Sequence, residues 1–140
     1  RVIEEQVVPA SEELGLSQVV WSPVAQGVLT GKYLPGAPAP AGSRATDEKG
    51  GAQMVRRFTE NQDVLARVQA LRPVADELGL TLAQLAVSWV LRDQRITSAL
   101  VGASSAEQLR SNVAALTAPP LTDEEIATLE QWAVDGTGRS

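Results

Sequence analysis

Apolar positions along this chain follow two rhythms. Two short runs, Gln18-Val19-Val20-Trp21 and Ala99-Leu100-Val101, are almost continuously apolar and predict buried parallel strands. Elsewhere apolar residues recur at helical spacing. Ile3, Val7, Val8 and Leu14 trace a helix from residue 1 to about residue 15, stopped at Gly15, with Pro9 as a kink or a second start. Val64, Leu65, Val68, Leu71, Ala75 and Leu78 make one stripe from Asn61 to Leu78, with Gly79 as its stop and Pro73 bending or dividing it. Thr81 caps the next helix, which turns Leu82, Leu85, Ala86, Trp89 and Val90 inward and makes Trp89 a core residue. After the second strand a helix runs to about Ala118, where Pro119-Pro120 breaks the chain. Thr122-Asp123-Glu124-Glu125 is a capping box for a last helix through Trp132, and residues 135–140 read as a frayed, flexible tail.

Two stretches fall outside both rhythms. Ala25 to Tyr33 carries Gly27 and Gly31 around Val28 and Leu29, a loop with a helical turn where the backbone can lie against another group. Residues 34–52 are of low complexity, rich in proline and glycine from Leu34 to Arg44 and again at Gly50-Gly51; so long a loop is functional or disordered. Within it Arg44 is the residue with obvious chemistry: a bidentate phosphate clamp or, without further evidence, a solvated loop charge. Strand and helix alternate, and the long spacing between strands implies parallel pairing through helical crossovers, an α/β architecture. Two parallel strands cannot hide both faces or both edges, so the set reads as an incomplete sheet.

Composition narrows the chemistry. With 140 residues the chain suits one domain, and an apolar share of 44% is ample for a core. The formal charge is −5 and the cations are scattered, with Arg56-Arg57 a solvated helix face, so no nucleic-acid surface is expected. No apolar run approaches the length that crosses a bilayer and no signal-peptide pattern is present, so no membrane insertion is expected. The absence of cysteine fits a cytoplasmic location. Histidine is also absent, which removes the commonest general base and metal ligand, and no metal site is expected. The chain starts at Arg1, its one methionine is Met54, and its first helix has no cap; the beginning of a longer chain is expected to be missing.

The richest segment is Ser98 to Asn112. An apolar strand stops at Gly102, Ser104 and Ser105 follow, and a helix begins whose N-terminus suits an anion. Gly102 allows close backbone approach, Ser104 or Ser105 can cap the helix or donate to a phosphate oxygen, and Gln108 and Asn112 lie four apart on one face. Both amides donate and accept, as an adenine edge requires. Taken alone this is a pocket for a phosphorylated adenosine or an ordinary βα turn, and the ordinary turn is favoured.

Two motifs together resemble the aldo-keto reductases. Trp21-Ser22-Pro23-Val24-Ala25-Gln26-Gly27-Val28-Leu29-Thr30-Gly31-Lys32-Tyr33 resembles the loop after that family's seventh strand, and Val101 to Asn112 resembles its loop and helix after the eighth. Thr81 to Leu91 is similar to the helix between them, and the pattern is nearest to potassium-channel beta subunits and related bacterial reductases. The resemblance covers residues 2 to 133. It implies the C-terminal portion of a (β/α)8 TIM barrel, incomplete on its own, with a cofactor-binding domain over residues 1–134, the rest of the barrel as a partner, and chemistry on the loops at the C-terminal face.

The cofactor implied is NADP(H). Ser22, Pro23, Val24 and Gly27 would line the pyrophosphate and ribose, largely through backbone N–H groups, and Trp21 would lie near the nicotinamide. Lys32 and Arg44 would reach phosphates, Arg44 from a loop folding over the cofactor as a strap. Gly102 and Ser104 would hold the 2′-phosphate and ribose, and Gln108 and Asn112 the adenine. Ser111 stands where the family often has an acidic residue, and Ala103-Ser104 carries no cation where some relatives have one, so preference for NADP over NAD rests on Ser104, Lys32 and Arg44.

The family's catalytic Asp, Tyr, Lys and His lie on earlier strands. This chain has no histidine, and its one tyrosine, Tyr33, belongs to the cofactor loop, so no residue here is assigned as catalytic. The function implied is NADPH-dependent reduction of a small aldehyde or ketone by the complete chain. The alternatives are a nucleotide-sensing subunit with little turnover and an inactive folded fragment; homo-oligomerisation is left open.

Overall fold

The structure, a computed structural model, describes residues 3–132; the tail expected at 135–140 lies outside them. In chain order the elements are α1 (Val7–Glu13), β1 (Gln18–Trp21), α2 (Gly51–Thr59), α3 (Gln62–Ala70), α4 (Arg72–Glu77), α5 (Leu82–Leu91), β2 (Ile96–Leu100), α6 (Ala106–Ala114) and α7 (Asp123–Glu130). Short 3-10 segments occupy Ala25–Thr30, Arg44–Thr46 and Ala115–Thr117.

The two strands pair in parallel, with Val19 opposite Ser98, Val20 opposite Ala99 and Trp21 opposite Leu100. Partners in register point to the same side. The side carrying Val20 and Ala99 is half-buried, whereas Val19, Trp21, Ser98 and Leu100 are exposed on the other. The strands expected to be buried are therefore covered on one face only, because no layer packs against the second. β2 also differs from the expected Ala99–Val101: it begins at Ile96, and its polar residues Thr97 and Ser98 are exposed. Those polar residues break the apolar run and conceal the first half of the strand.

The helices follow their local signals. Asn61 caps α3, its Oδ1 accepting from the N–H groups of Asp63 and Val64 at 3.1 and 3.2 Å. Thr81 and Gln84 close a reciprocal capping box at the start of α5, as Thr122 and Glu125 do for α7. Pro73 divides the expected single helix at Leu71 and sits in the first turn of α4, where its missing N–H costs nothing. Pro9 likewise sits in the first turn of α1, so the helix starts at Val7 instead of residue 1: proline cannot donate to the turn before it.

Helix α2 lies where sequence pattern indicated only a solvated face at Arg56-Arg57. Its Val55 is fully buried and Phe58 half-buried, while Gln53, Met54, Arg56 and Arg57 face water. In α5 the inward positions are Leu82, Leu85 and Val87; Ala86, Trp89 and Val90 are half-buried, and Trp89 packs at the margin of the core.

The main core joins Val28 and Tyr33 from the segment after β1 to Leu65 and Val68 of α3, Ala75 of α4, Leu82 and Leu85 of α5, and Leu129 of α7. The loop after β1 is thus anchored by its own apolar residues, and its polar edge is held at the ends of the strands.

Candidate functional site

Because Trp21 and Leu100 pair at the ends of parallel strands, the segments that follow leave the sheet side by side at one end. The first begins with backbone that side chains rarely adopt. Ser22, Ala25 and Gln26 have φ values of 56°, 47° and 59°, followed by Gly27 at 94°. Such left-handed residues cost energy and persist where the surroundings impose them. The imposing contacts are visible: Pro23 and Val28 are buried, Ala25 N–H donates to the Ser22 carbonyl at 2.9 Å, and Gly27 N–H donates to that of Val24 at 2.9 Å. Those two donors are spent inside the loop, so they are not the backbone groups that would reach a ligand.

Gln26 lies at the centre of a side-chain chain. Its Nε2 donates to Ser22 Oγ at 2.6 Å, and its Oε1 accepts from Arg44 Nη1. Arg44 therefore returns from the proline-rich segment to the loop after β1. No carboxylate forms a salt bridge with Arg44 among the described residues. Lys32 is exposed and folds against the same turn: a Cβ at Gly27 would lie 3.3 Å from its Nζ, which also sits 5.3 Å from the centroid of the Tyr33 ring. Two cations thus border neighbouring residues of one turn, in a chain of net charge −5.

The proline-rich segment is held lightly. Gly36 N–H donates to Gln62 Oε1 at 2.6 Å and Ala45 N–H donates to the Tyr33 hydroxyl at 3.3 Å. Beneath it is an open cavity of about 290 Å³ lined by Tyr33, Leu34, Ala39, Ala45, Ala52 and Leu65 among others. The buried Ser43 hydroxyl, next to Arg44, has no hydrogen-bond partner. Gln26, Tyr33 and Gln62 were not singled out as organising this segment. Their signal is tertiary, with partners 12 to 26 residues away, and no local spacing reveals it.

The second segment starts at Val101 and reaches α6. Ser105 is the cap, its Oγ accepting from Gln108 N–H at 3.1 Å. Ser104 does not cap the helix; its N–H and Oγ both donate to Gln108 Oε1, at 2.7 and 3.0 Å. Gln108 keeps its Nε2 donors; the buried Asn112 shows little surface. Among the described residues nothing requires glycine at 102: a Cβ there would meet open space, and φ is not left-handed. A glycine without a packing or backbone reason, at the mouth of a strand, fits close approach by something other than the protein.

Trp21, Ser22, Pro23, Val24, Gly27, Lys32 and Arg44 thus gather around one loop, and Gly102, Ser104 and Gln108 around its neighbour; Asn112 lies deeper in α6. The exposed Lys32 and the Arg44 guanidinium give the first loop a cationic edge, which can attract an anionic group. Among the described residues no group of three His, Cys, Asp or Glu could hold a metal ion.

Parallel strands joined through helices, with these polar and cationic groups on the strand-end loops, define the class, an α/β protein. The chain belongs to the Aldo/keto reductase family, whose sequence profile matches residues 1–133. It is 40% identical over 122 residues to an L-glyceraldehyde 3-phosphate reductase of Escherichia coli O157:H7, covering 87% of this chain and 35% of that protein. It is also 40% identical over 119 residues to a "Probable voltage-gated potassium channel subunit beta" of Arabidopsis thaliana, covering 85% of this chain and 35% of the relative. A protein of the same description from Oryza sativa subsp. japonica is 38% identical over 124 residues, 89% of this chain and 37% of the relative. The chain therefore spans about a third of the length of the curated relatives it matches.

Proposed function

We propose that this chain is the cofactor-binding, C-terminal part of a (β/α)8 barrel in an NADP(H)-dependent reductase of small aldehydes or ketones. The observation that carries this reading is the return of Arg44, with no ion-pair partner among the described residues, to the strained loop after β1, beside the loop that holds Gly102 and Ser104. NADPH, when bound, supplies the hydride; this chain's residues hold and orient it. Arg44 and Lys32 bind the phosphates, Ser22, Pro23, Val24 and Gly27 shape the pyrophosphate side, and Gly102 and Ser104 take the 2′-phosphate end. Gln108, through its Nε2, and Asn112 address the adenine, and Trp21 borders the nicotinamide. No proton donor for the carbonyl oxygen is assigned to this chain, which contains no histidine. The open face of Val19, Trp21 and Leu100 supports the remaining barrel strands as its cover.

Similarity to channel beta subunits favours a second reading, a nucleotide-sensing subunit using the same pocket with little turnover. In the complete protein, Arg44→Ala or Gln108→Ala should each weaken NADPH binding by about 1–3 kcal/mol, the range for losing a charged or buried hydrogen bond. Unchanged affinity in a fluorescence titration would remove those residues from the site. Hydride transfer to a small aldehyde separates the reductase from the sensor.

A further inference from the structure

We infer that Gln26 is a positioning residue: its neutral amide seats the Arg44 guanidinium on the loop after β1 and holds the proline-rich strap across the site. This rests on the phosphate-binding reading of Arg44 in its functional half, but the seating itself is independent of that reading.

The strap from Leu34 to Arg44 borders an open cavity; Ala39 and the adjoining Ala45 pack against the margin of the core, and long-range hydrogen bonds add to what fixes its path. Three long-range hydrogen bonds hold it: Gly36 to Gln62, Ala45 to the Tyr33 hydroxyl, and Arg44 to Gln26. The second and third tie it to the segment after β1, and of the three it is the third that reaches the strained turn at the start of that segment. Gln26 is suited to this by two features. Its backbone is left-handed, at φ 59°, and the second end of its amide is fastened to Ser22 Oγ at 2.6 Å, so the carbonyl oxygen is held in one direction.

The chemistry of an amide acceptor also matters. Guanidinium has five N–H donors, and Gln26 engages Nη1, leaving Nε and Nη2 without a partner among the described residues. An amide orients the group without cancelling its charge. A carboxylate in the same place would form a charge-assisted pair, hold the strap more firmly and compete with an anionic ligand. Glutamine therefore gives orientation while preserving anion affinity.

Trypsin cleavage after Arg44 tests the seating without any cofactor. Gln26→Asn tolerates left-handed backbone but is too short to reach, and should speed cleavage at Arg44–Ala45 at least fivefold relative to cleavage after Arg67 in α3 of the same chain. Gln26→Glu should slow that ratio below the native value and weaken NADPH binding at least tenfold in the complete protein. Normalising to Arg67 separates release of the strap from general loss of stability, which would accelerate both sites. An unchanged ratio in Gln26→Asn, or faster cleavage in Gln26→Glu, overturns the positioning role. The two readings fail separately: an NADPH titration of the native complete protein that shows no binding overturns the cofactor reading of Arg44, whatever the cleavage ratio.

Discussion

At the scale of single residues, a perturbed carboxylate lies away from the candidate site, in the turn between α5 and β2. Asp93 accepts from Arg95 three times: from its backbone N–H at 3.0 Å, Nε at 2.8 Å and Nη2 at 2.7 Å. The Arg95 side-chain hydrogen bonds hold the Asp93 carboxyl down at about 2, against an ordinary value of 3.8. Arg95 Nη1 also reaches Glu12 of α1 at 3.6 Å, so the turn is tied to the helix before β1. A depressed carboxylate contributes stability above its unfolded value and loses it as the folded group protonates. Native chain should therefore exceed Asp93→Asn in urea stability at pH 5, with the difference vanishing as pH falls from about 4 to about 2. A difference independent of pH would show that the pair contributes no charge-dependent stability.

At the scale of elements, what was legible depended on whether the signal was local. Caps, glycine stops and prolines act within one turn, so Asn61, Thr81, Thr122 and Pro73 each mark a boundary that the structure keeps to within a residue or two. Helix α2 was hidden because its inward residues are few: Val55 and Phe58 stand among Gln53, Met54 and two arginines, next to a glycine-rich stretch. β2 was half hidden because Thr97 and Ser98 face outward. Arg44 on its own chemistry read as a solvated loop charge and became a candidate only through the family resemblance, while its tie to Gln26 spans 18 residues and could be read only from the fold. Helix α2 yields a direct test. Val55→Ala removes two buried carbons and should cost about 2 kcal/mol, from transfer and cavity terms together. Met54→Ala, one position away on the wet face, should stay within about 0.5 kcal/mol. Equal losses in urea denaturation of the two variants would mean that α2 does not pack through Val55.

At the scale of the whole molecule, the sheet is the unsatisfied part. Each of its two strands is an edge, and the face opposite the helices exposes Trp21 at 78%, Leu100 at 60% and Val19 at 56%. Leu14 and Leu16, in the approach to β1, are exposed as well. Isolated apolar residues on a surface are unremarkable, but these belong to a parallel pair, which is ordinarily covered on both faces. Open backbone donors and acceptors along both edges add a template for further pairing. Within a barrel, neighbouring strands would cover the edges and inward-facing side chains the open face. Residues 1–140 on their own should therefore associate in a concentration-dependent way and be of low stability, with sedimentation velocity reporting species larger than the monomer. Association through this face should shield Trp21 from iodide quenching, and Trp21→Ser with Leu100→Ser should return the chain toward monomer. A native chain that stays monomeric across concentrations and melts in one sharp cooperative transition would mean that the open face is tolerated, and would remove the need for covering strands.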